Sequence, residues 1–265
     1  MSTVGILKLS GKAIEDFTSN PAWIDAVAKL KNQYEGFIIV HGAGNQISEW
    51  SSALGLTSQF YNGQRVTDEK VMNVVAAVQA GMINGKLVSY LCSSGFNAAG
   101  LTGIDNNLFI ADYAEKELGF VGLPKAQPNI KWLHQLFSSD VIPVFSSLCR
   151  DAEGNLMNVN ADVFTNALAS ALKAETVFFI SDVDGVKLEG ETQSHIKEQQ
   201  IRKGIEEKQI TGGMIPKLES CVSLLQSGVA KVWIGNNIFP MLAADASPYG
   251  GGTWIIKNSE LRVKN

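Results

Sequence analysis

Cysteine and histidine are scarce in this chain of 265 residues, and the few that occur are widely spaced. They are Cys92, Cys149 and Cys221, and His41, His134 and His195. Such cysteines form neither a disulfide framework nor a CxxC metal clip, and we expect buried, reduced thiols. The histidines lack the spacing of metal ligands, and there is no GxSxG signature. These absences argue against a disulfide-rich domain, a zinc enzyme and a serine hydrolase.

Long hydrophobic runs and an excess of positive charge are also missing. Apolar runs such as residues 37–40 and 177–180 are far shorter than the roughly 18 residues that cross a bilayer, so we expect no membrane span. Lysine and arginine number 22 against 26 aspartates and glutamates, a net charge of -4 without a basic block. That balance argues against nucleic acid as a partner. Residues 1–8 lack the features of a secretion signal, and we expect a cytoplasmic protein.

What the chain does contain is an alternation of short strand-like and longer helix-like segments. With 45% hydrophobic and 18% charged residues, it has the composition of a globular protein. β-Branched and aromatic runs predict strands at residues 4–9, 37–40, 141–146, 176–180, 231–235 and 253–257. The helical periods between them indicate crossover connections, and therefore an α/β fold around a mainly parallel open sheet. We expect one continuous domain with an N-terminal lobe, residues 1–175, and a C-terminal lobe, residues 176–265.

Turn and capping residues predict where helices begin. Helices are expected after Pro21, over residues 46–54, from a cap at Thr67 to about residue 91, and over residues 130–137, 160–173 and 197–208. Pro216 is expected at the first position of another helix. The pair Asn62-Gly63 predicts a tight turn, and the glycine-rich residues 97–128 predict hairpins.

Two loops that follow predicted strands are candidate anion sites. Lys8 lies near the carboxyl end of the first strand, before a turn at Ser10-Gly11, although a lysine on a sheet edge would look the same. Residues 41–45, HGAGN, join the second strand to a helix, where backbone amides converge, although an ordinary turn is the alternative. The third glycine of a dinucleotide fingerprint is missing, so a nicotinamide-dependent reductase is the weaker interpretation.

Several other charged and polar residues have either a ligand-binding role or a purely structural one. Lys217 falls in the first turn of a helix, where the macrodipole disfavours a cation, so it needs an anionic partner unless it is a solvated surface lysine. Arg65 is either a solvated charge or a two-point grip on a carboxylate. Asn158, Asn160 and Asp162 stand at alternate positions and project to one side of an extended segment, unless they only cap a helix.

Six of these segments follow one another in a recognisable order. They are residues 8–11 (KLSG), 41–44 (HGAG), 62–67 (NGQRVT), 157–162 (MNVNAD), 181–185 (SDVDG) and 212–217 (GGMIPK). Together they closely resemble the acetylglutamate kinases of the amino-acid kinase family, over nearly the whole chain. NGQRVT and MNVNAD are much more specific to the acetylglutamate branch than the lysine and glycine loops, which the wider family shares. The resemblance implies a three-layer αβα sandwich, with the acyl amino acid bound in the N-terminal lobe and ATP in the C-terminal lobe.

The resemblance also implies an activity and a set of site residues. The activity is transfer of the γ-phosphoryl group of ATP to the side-chain carboxylate of N-acetyl-L-glutamate in arginine biosynthesis, with Mg2+ held mainly by phosphates and water. The implied catalytic residues are Lys8, Lys217 and Asp162, the last holding both ammonium groups. Residues implied at the acyl amino acid are Gly42, Ala43, Gly44, Arg65, Asn158 and Asn160. Those implied at the nucleotide are Lys8, Ser10, Gly11, Ser181, Asp182, Gly213 and Lys217.

Several points stay open at this stage. Ser10 and Ala43 stand where many relatives have glycine, and residues 233–237 also depart from the family pattern. Other family members phosphorylate N-succinyl-glutamate, glutamate, aspartate, carbamate or UMP, and a non-catalytic amino-acid sensor is a further alternative. Discrimination between acyl groups does not follow from these motifs.

The resemblance also bears on assembly. Arginine-inhibited relatives carry an additional N-terminal helix that links dimers into hexamers, and here the first strand is predicted to begin by Val4. We therefore expect a homodimer that arginine does not inhibit. The long helix after Thr67 is the expected interface, because its apolar positions exceed one core stripe. These positions include Val71, Val74, Val75 and Val78.

Overall fold

The computed structural model describes residues 3–243 and 251–258, which are built around one eight-stranded sheet. In chain order the strands are β1 (Val4–Leu9), β2 (Gly36–His41), β3 (Asn97–Leu101), β4 (Val141–Ser146), β5 (Thr176–Ile180), β6 (His195–Lys197), β7 (Lys231–Gly235) and β8 (Gly252–Ile256). Across the sheet their order is β6-β8-β7-β5-β1-β2-β4-β3. β6 and β8 run opposite to the other strands, which are mutually parallel. The predicted mainly parallel sheet is confirmed.

Helices cover both faces of this sheet. They are α1 (Gly11–Phe17), α2 (Ala22–Gln33), α3 (Gly44–Ala53), α4 (Glu69–Ser93), α5 (Leu133–Ser138), α6 (Ala161–Leu172), α7 (Glu198–Glu206), α8 (Met214–Gln226) and α9 (Phe239–Leu242). Buried residues of α1 to α4 and α9 form one hydrophobic cluster with the sheet, and those of α5 to α8 form a second cluster on the opposite face. The architecture is the predicted three-layer αβα sandwich.

Short hairpins and 3-10 helices connect the main strands and helices. Four two-stranded hairpins pair Phe60–Tyr61 with Gln64–Arg65, Phe109–Tyr113 with Gly122–Ala126, Leu148–Arg150 with Leu156–Asn158, and Lys187–Leu188 with Glu191–Thr192. Short 3-10 helices occupy Asp105–Asn107, Lys116–Leu118 and Pro128–Trp132. Residues 97–101, predicted as part of a hairpin, instead pair parallel with β4 as a strand of the main sheet.

The central strand β1 shows how the sequence pattern positions a functional group. Successive side chains of a strand point to opposite faces. Val4 and Ile6 pack in the cluster on the side of α6, whereas Leu7 and Leu9 pack on the side of α1 to α4. Lys8 follows the same alternation and lies on the side of α6, at the carboxyl end of the strand. The strand therefore delivers an ammonium group to the edge of the sheet beneath α6.

The long helix α4 differs from its prediction at its start and in its interior. Asp68 caps it, with its carboxylate accepting a hydrogen bond from the Val71 amide at 2.8 Å, so the prediction of Thr67 as the cap is wrong by one residue. Residues 76–83 form a π-helix between two α-helical parts, Glu69–Val75 and Asn84–Ser93. π-Helical turns inside α-helices frequently occur at functional sites.

Helix α4 is also the one helix of the described residues that is long and apolar enough to cross a membrane. Half of its most apolar window is buried inside the fold, where it packs on β3 and β4. Its side chains at the predicted interface positions are all buried in the core, contrary to the expectation that they exceed a core stripe. They are Val71, Val74, Val75 and Val78.

Two smaller expectations also change. Helix α8 begins at Met214, so Pro216 occupies its third position, where its missing N–H still costs no hydrogen bond. Cys149 and Cys221 are buried as expected, whereas Cys92 is exposed.

Candidate active site

A cleft of about 260 Å3 opens at the carboxyl ends of β1 and β2. This is the edge where ligands bind in open α/β sheets. Most of the residues predicted from the sequence line it: Lys8, Ser10, Gly11, Gly42, Ala43, Gly44, Arg65, Asn158, Asn160 and Asp162. Gly213 and Lys217 line an adjoining hollow that shares Asn160 and Asp162 with the cleft. Ser181 and Asp182 line a third hollow, which shares Ser10.

Lys8 is paired with Asp162 at the centre of the cleft. Its Nζ lies 2.6 Å from Asp162 Oδ1, and the side chains are 12% and 34% exposed. The two groups meet as an ion pair rather than as an aligned hydrogen bond. Asp162 lies in the first turn of α6, where a carboxylate is also favoured by the helix macrodipole. The pair therefore fixes the ammonium group of Lys8 at the end of its strand.

Lys217 is held by a different partner from the one implied by the resemblance. Its Nζ donates a hydrogen bond to Ser181 Oγ at 2.6 Å, across the gap between α8 and the end of β5. The implied role of Asp162 as holder of both ammonium groups is therefore met for Lys8 alone in this structure. Lys217 and Asp162 both line the adjoining hollow, together with Cys221. Burial and then the Asp162 charge raise the pKa of Cys221 to about 12, while Lys217 lowers it.

Arg65 is a buried cation with neutral partners. The Asn62-Gly63 turn, with φ of 48° and 77°, folds the hairpin back so that Arg65 reaches under the cleft. Its guanidinium donates to Ser58 Oγ, to Ser48 Oγ and to the Gly44 carbonyl at 2.7 to 2.8 Å. Burial lowers its pKa, yet a guanidinium stays charged in proteins.

No carboxylate pairs with Arg65 among the residues that the structure describes. A buried charge without a counter-ion is costly, and such a group favours an anionic ligand. The residue is 9% exposed, so an anion that reached it would be partly shielded from water. The burial of Arg65 contradicts the interpretation as a solvated surface charge, and the two-point grip on a carboxylate stays a prediction.

The loop of residues 42–44 has its carbonyls bound, whereas the amides of Ala43 and Gly44 are free. The Gly42 carbonyl lies 2.9 Å from His41 Nδ1, and the Gly44 carbonyl accepts the hydrogen bond from Arg65. Within residues 3–243 and 251–258, the N–H groups of Ala43 and Gly44 have no acceptor. Free amides at the start of helix α3 are suited to bind an anion.

The need for glycine at positions 42 and 44 comes from the open space of the cleft and not from the backbone conformation. A Cβ at Gly44 would meet nothing within 4 Å, and one at Gly42 would make only an ordinary 3.5 Å contact with Ala161. Neither residue has a φ in the left-handed region. The missing side chains leave open space above the amides, which a ligand can occupy.

Ser10 contributes a hydroxyl to the same edge of the sheet. It stands before the first turn of α1 without making a side-chain cap, and its Oγ is buried with no hydrogen-bond partner in the described chain. A buried hydroxyl without a partner is costly, so a ligand group is a natural partner for it. The substitution of serine for the usual glycine at this position therefore adds a polar group to the cleft.

Asn158 and Asn160 lie beside the cleft, but their side chains also have structural bonds. Asn158 Nδ2 donates to Thr67 Oγ1 at 3.0 Å, which ties the segment before α6 to the segment before α4. Asn160 Oδ1 accepts hydrogen bonds from the Asp162 and Val163 amides and so caps α6. The capping interpretation of Asn160 is confirmed, and only its exposed amide nitrogen is available to a ligand.

Four further residues support the cleft, although their side chains were not predicted from the sequence as site residues. Gln79, in the π-helical part of α4, lines the cleft, is 2% exposed and donates to Ser147 Oγ at 2.6 Å. Ser147 in turn donates to the Val159 carbonyl at 2.7 Å, which anchors the segment that carries Asn158 and Asn160. His41 and Asn84 are joined at 3.0 Å behind the glycine loop. A lone polar residue in an apolar helix face, as at Gln79 and Asn84, is the one signal that the sequence offered.

Comparison with known proteins shows which family this chain belongs to. The model of the amino acid kinase family matches residues 4–236. An acetylglutamate kinase of Ruegeria pomeroyi is 39% identical over 230 residues, which cover 86% of this chain and 80% of the relative. One of Endomicrobium trichonymphae is 36% identical over 239 residues, covering 90% and 95%. The solved structure of smu.665 from Streptococcus mutans aligns with a TM-score of 0.74 at 28% identity, covering 96% and 98%. The chain therefore belongs to the amino-acid kinase family.

Proposed function

We propose that this protein transfers the γ-phosphoryl group of ATP to the side-chain carboxylate of N-acetyl-L-glutamate, as an enzyme of arginine biosynthesis. The observation that carries the proposal is the buried guanidinium of Arg65 beside free loop amides and Lys8, in one cleft. Its relatives named acetylglutamate kinases, 34–39% identical over most of the chain, support the same activity. The product is N-acetyl-L-glutamyl 5-phosphate.

The chemistry requires alignment and charge neutralisation rather than a base. The substrate carboxylate is already an anionic nucleophile, so its oxygen attacks the γ-phosphorus directly. The bond from that phosphorus to the β–γ bridging oxygen breaks, and ADP leaves with that oxygen. Two anions must be brought together, and positive groups that stabilise the transferring phosphoryl group accelerate the step. Lys8 lines the cleft and Lys217 lines the adjoining hollow, and the two cavities share Asp162.

The residues divide between the two ligands. In this proposal Arg65 and Asn158 bind the α-carboxylate and the acyl amide, with Asn160 and the amides of residues 42–44 nearby. Lys217, Gly213, Ser181 and Asp182 lie on the nucleotide side, with Ser10 and Gly11 between. The N-terminal lobe, residues 1–175, then holds the acyl amino acid. The C-terminal lobe, residues 176–265, which includes residues outside the described ranges, holds ATP.

Magnesium is expected to accompany ATP, as in other phosphoryl-transfer enzymes. The described residues contain no group of three or more His, Cys, Asp or Glu side chains that could hold a metal. We propose that phosphate oxygens and water hold most of the coordination positions of the ion. When bound, Mg2+ would neutralise part of the phosphate charge, and Lys8 and Lys217 would neutralise the remaining charge on the transferring phosphoryl group.

We also propose that the protein is a cytoplasmic homodimer without nucleic-acid or membrane partners. The valines expected at the interface are buried in the core, but another face of α4 remains exposed. It includes Ala77, Gly81, Met82 and Gly85, with Met82 39% exposed. Close packing of two such helices suits an isologous contact. Light scattering tests it: a dimer mass supports the proposal, and a monomer or hexamer contradicts it.

One assay tests the activity. The purified protein is incubated with ATP and either N-acetyl-, N-succinyl- or free glutamate, and the acyl phosphate is trapped with hydroxylamine. We expect hydroxamate formation to be fastest with N-acetyl-L-glutamate. A preference for N-succinyl-glutamate would favour the alternative substrate. If none of the three compounds led to ATP consumption and acyl phosphate, the proposal would be contradicted.

A further inference from the structure

His41 is a buried histidine with a defined partner on each ring nitrogen. It is the last residue of β2, is 0% exposed, and lies on the sheet face covered by α4. Its Nδ1 is 2.9 Å from the carbonyl oxygen of Gly42, and its Nε2 is 3.0 Å from Nδ2 of Asn84. The same Asn84 Nδ2 donates to the Val144 carbonyl at 2.8 Å. The side chain therefore links the glycine loop to α4 and to β4.

These contacts determine the protonation of the ring. A carbonyl oxygen only accepts hydrogen bonds, so Nδ1 must carry the proton toward Gly42. Nε2 then presents its lone pair, which accepts the second hydrogen of the Asn84 amide. Burial lowers the pKa of His41 to about 4, so the ring is neutral in this arrangement. The resulting network has one consistent assignment of its hydrogens.

Asn84 is itself held in place by the sheet. It begins the second α-helical part of α4, directly after the π-helical segment. A Cβ at Gly100 in strand β3 would lie 2.0 Å from Asn84 Oδ1, so a side chain at that position would displace the amide. With Val144 on one side and Gly100 on the other, Asn84 has little freedom to move away from His41.

The glycine loop is thereby held at both ends. His41 binds the carbonyl of Gly42, and Arg65 binds the carbonyl of Gly44, while the amides of Ala43 and Gly44 have no acceptor within the described ranges. We propose that His41, oriented by Asn84, is a positioning residue that keeps these amides directed into the cleft for the reacting carboxylate and phosphoryl oxygens. This inference rests on the proposed kinase function. His41 itself is not among the residues that line the cleft, so it acts through Gly42.

Two matched substitutions test the role, because each preserves one half of the network. Asparagine at position 41 places an N–H where Nδ1 stands, and so retains the bond to Gly42. Glutamine reaches the position of Nε2, and so retains an acceptor for Asn84 but not the bond to Gly42. We expect kcat of His41→Asn to stay within about threefold of wild type. His41→Gln and His41→Leu should each lose about tenfold or more, since small misplacements of catalytic groups cost up to about 10²-fold.

The KM for ATP should change little in all three variants, because the loop belongs to the acyl-amino-acid side. Thermal unfolding identifies the temperature at which every variant is folded, and kinetics are measured there. A purely structural role predicts the opposite ranking, since glutamine fills more of the histidine volume than asparagine. Glutamine equal to or better than asparagine would therefore overturn the proposal.

A spectroscopic measurement tests the network without turnover. In 15N NMR of the wild-type protein, with His134→Gln and His195→Gln used for assignment, His41 should show a protonated Nδ1 and an unprotonated Nε2 near neutral pH. Asn84→Leu should release this tautomer and lower kcat by a similar factor to His41→Gln. An Nε2-protonated ring in the wild type would overturn the inference. Wild-type protein that forms no acyl phosphate would instead overturn the proposed function, and this role with it.

Discussion

Lys217 Nζ lies 2.6 Å from Ser181 Oγ, whereas Lys8 Nζ pairs with Asp162 at the same distance on the other side of the site. The two cations are therefore held by separate partners, one neutral and one charged. A neutral hydroxyl leaves the full charge of Lys217 available to an incoming anion. This arrangement suits a residue that meets the polyphosphate, while Lys8 is fixed in advance.

Removal of either lysine should abolish most of the turnover. We expect Lys8→Ala and Lys217→Ala each to lower kcat on the order of 10²-fold or more, because each removes a preorganised charge from the transition state. Circular dichroism should show both variants folded. The matched control is Lys203→Ala, an exposed lysine that pairs with Glu207 at the end of α7, and it should keep wild-type kcat. Wild-type turnover in either site variant would remove that lysine from the mechanism.

Asp162 should matter through its charge rather than its volume. Asp162→Asn preserves the shape of the side chain but removes the ion pair with Lys8, which is only 12% exposed. We expect kcat to fall about tenfold or more, because the ammonium group is no longer held in one place. Asp162→Ala should be at least as impaired. Steady-state kinetics with saturating ATP measure both, and unchanged kcat in the asparagine variant would contradict the positioning role.

Arg65→Lys should weaken the binding of one substrate, N-acetyl-L-glutamate, much more than the binding of ATP. An ammonium group cannot reproduce the two-point grip of a guanidinium on a carboxylate, and it also loses the bonds to Ser48 and Gly44. We expect KM for N-acetyl-L-glutamate to rise about tenfold or more, with KM for ATP changing much less. The check is a pair of substrate titrations. Equal increases for both substrates would place Arg65 outside the acyl-amino-acid site.

Two glycine substitutions should separate activity from stability. Gly44 has open space around it and is the first residue of α3, so Gly44→Ala should fold with an unchanged or higher Tm but lose activity on the acyl amino acid. Gly36 is different, since a Cβ there would lie 2.5 Å from the ring of Phe137. Gly36→Ala should lower stability by about 1–3 kcal/mol through overpacking. Thermal unfolding and the hydroxamate assay on both variants measure the contrast; a fully active Gly44→Ala would show that the open space is not used.

The free energy of unfolding below about pH 6.5 should depend on His41. Its folded pKa of about 4 lies below the ordinary 6.5, so the unfolded chain binds the proton first as pH falls. The contribution of the neutral ring to the free energy of unfolding is therefore complete above pH 6.5. It is lost as pH falls toward 4, by up to about 3 kcal/mol.

The measurement is urea unfolding of wild type and His41→Asn at several pH values from 7 down to 4. Other groups titrate in the same range, and the difference between the two proteins isolates the histidine. The wild type should lose more stability than the variant as pH falls. Parallel pH dependences would contradict a buried neutral ring.

Much of the fold and of the candidate site could be predicted because its signals are local. Strand β1 is encoded by its own β-branched and leucine residues, and the Asn62-Gly63 turn by two residues that tolerate positive φ. Lys8, Gly42, Gly44 and Arg65 stand directly beside such elements, so their motifs could be read along the chain. A parallel sheet then brings the carboxyl ends of neighbouring strands together without further information.

Other features depend on residues that are distant in the chain, and only the tertiary structure decided them. Thr67 and Asp68 are both helix caps by residue type. Asp68 caps α4, whereas Thr67 Oγ1 accepts a hydrogen bond from Asn158, 91 positions away. Likewise, Lys217 donates its hydrogen bond to Ser181 and not to Asp162, and the His41 ring is paired with the Asn84 amide. The sequence by itself determined the alternation, the loops and the charges of this protein. Which hydrogen-bond partners those groups take was decided by packing, because a buried polar group must be satisfied by whatever the fold brings within about 3 Å.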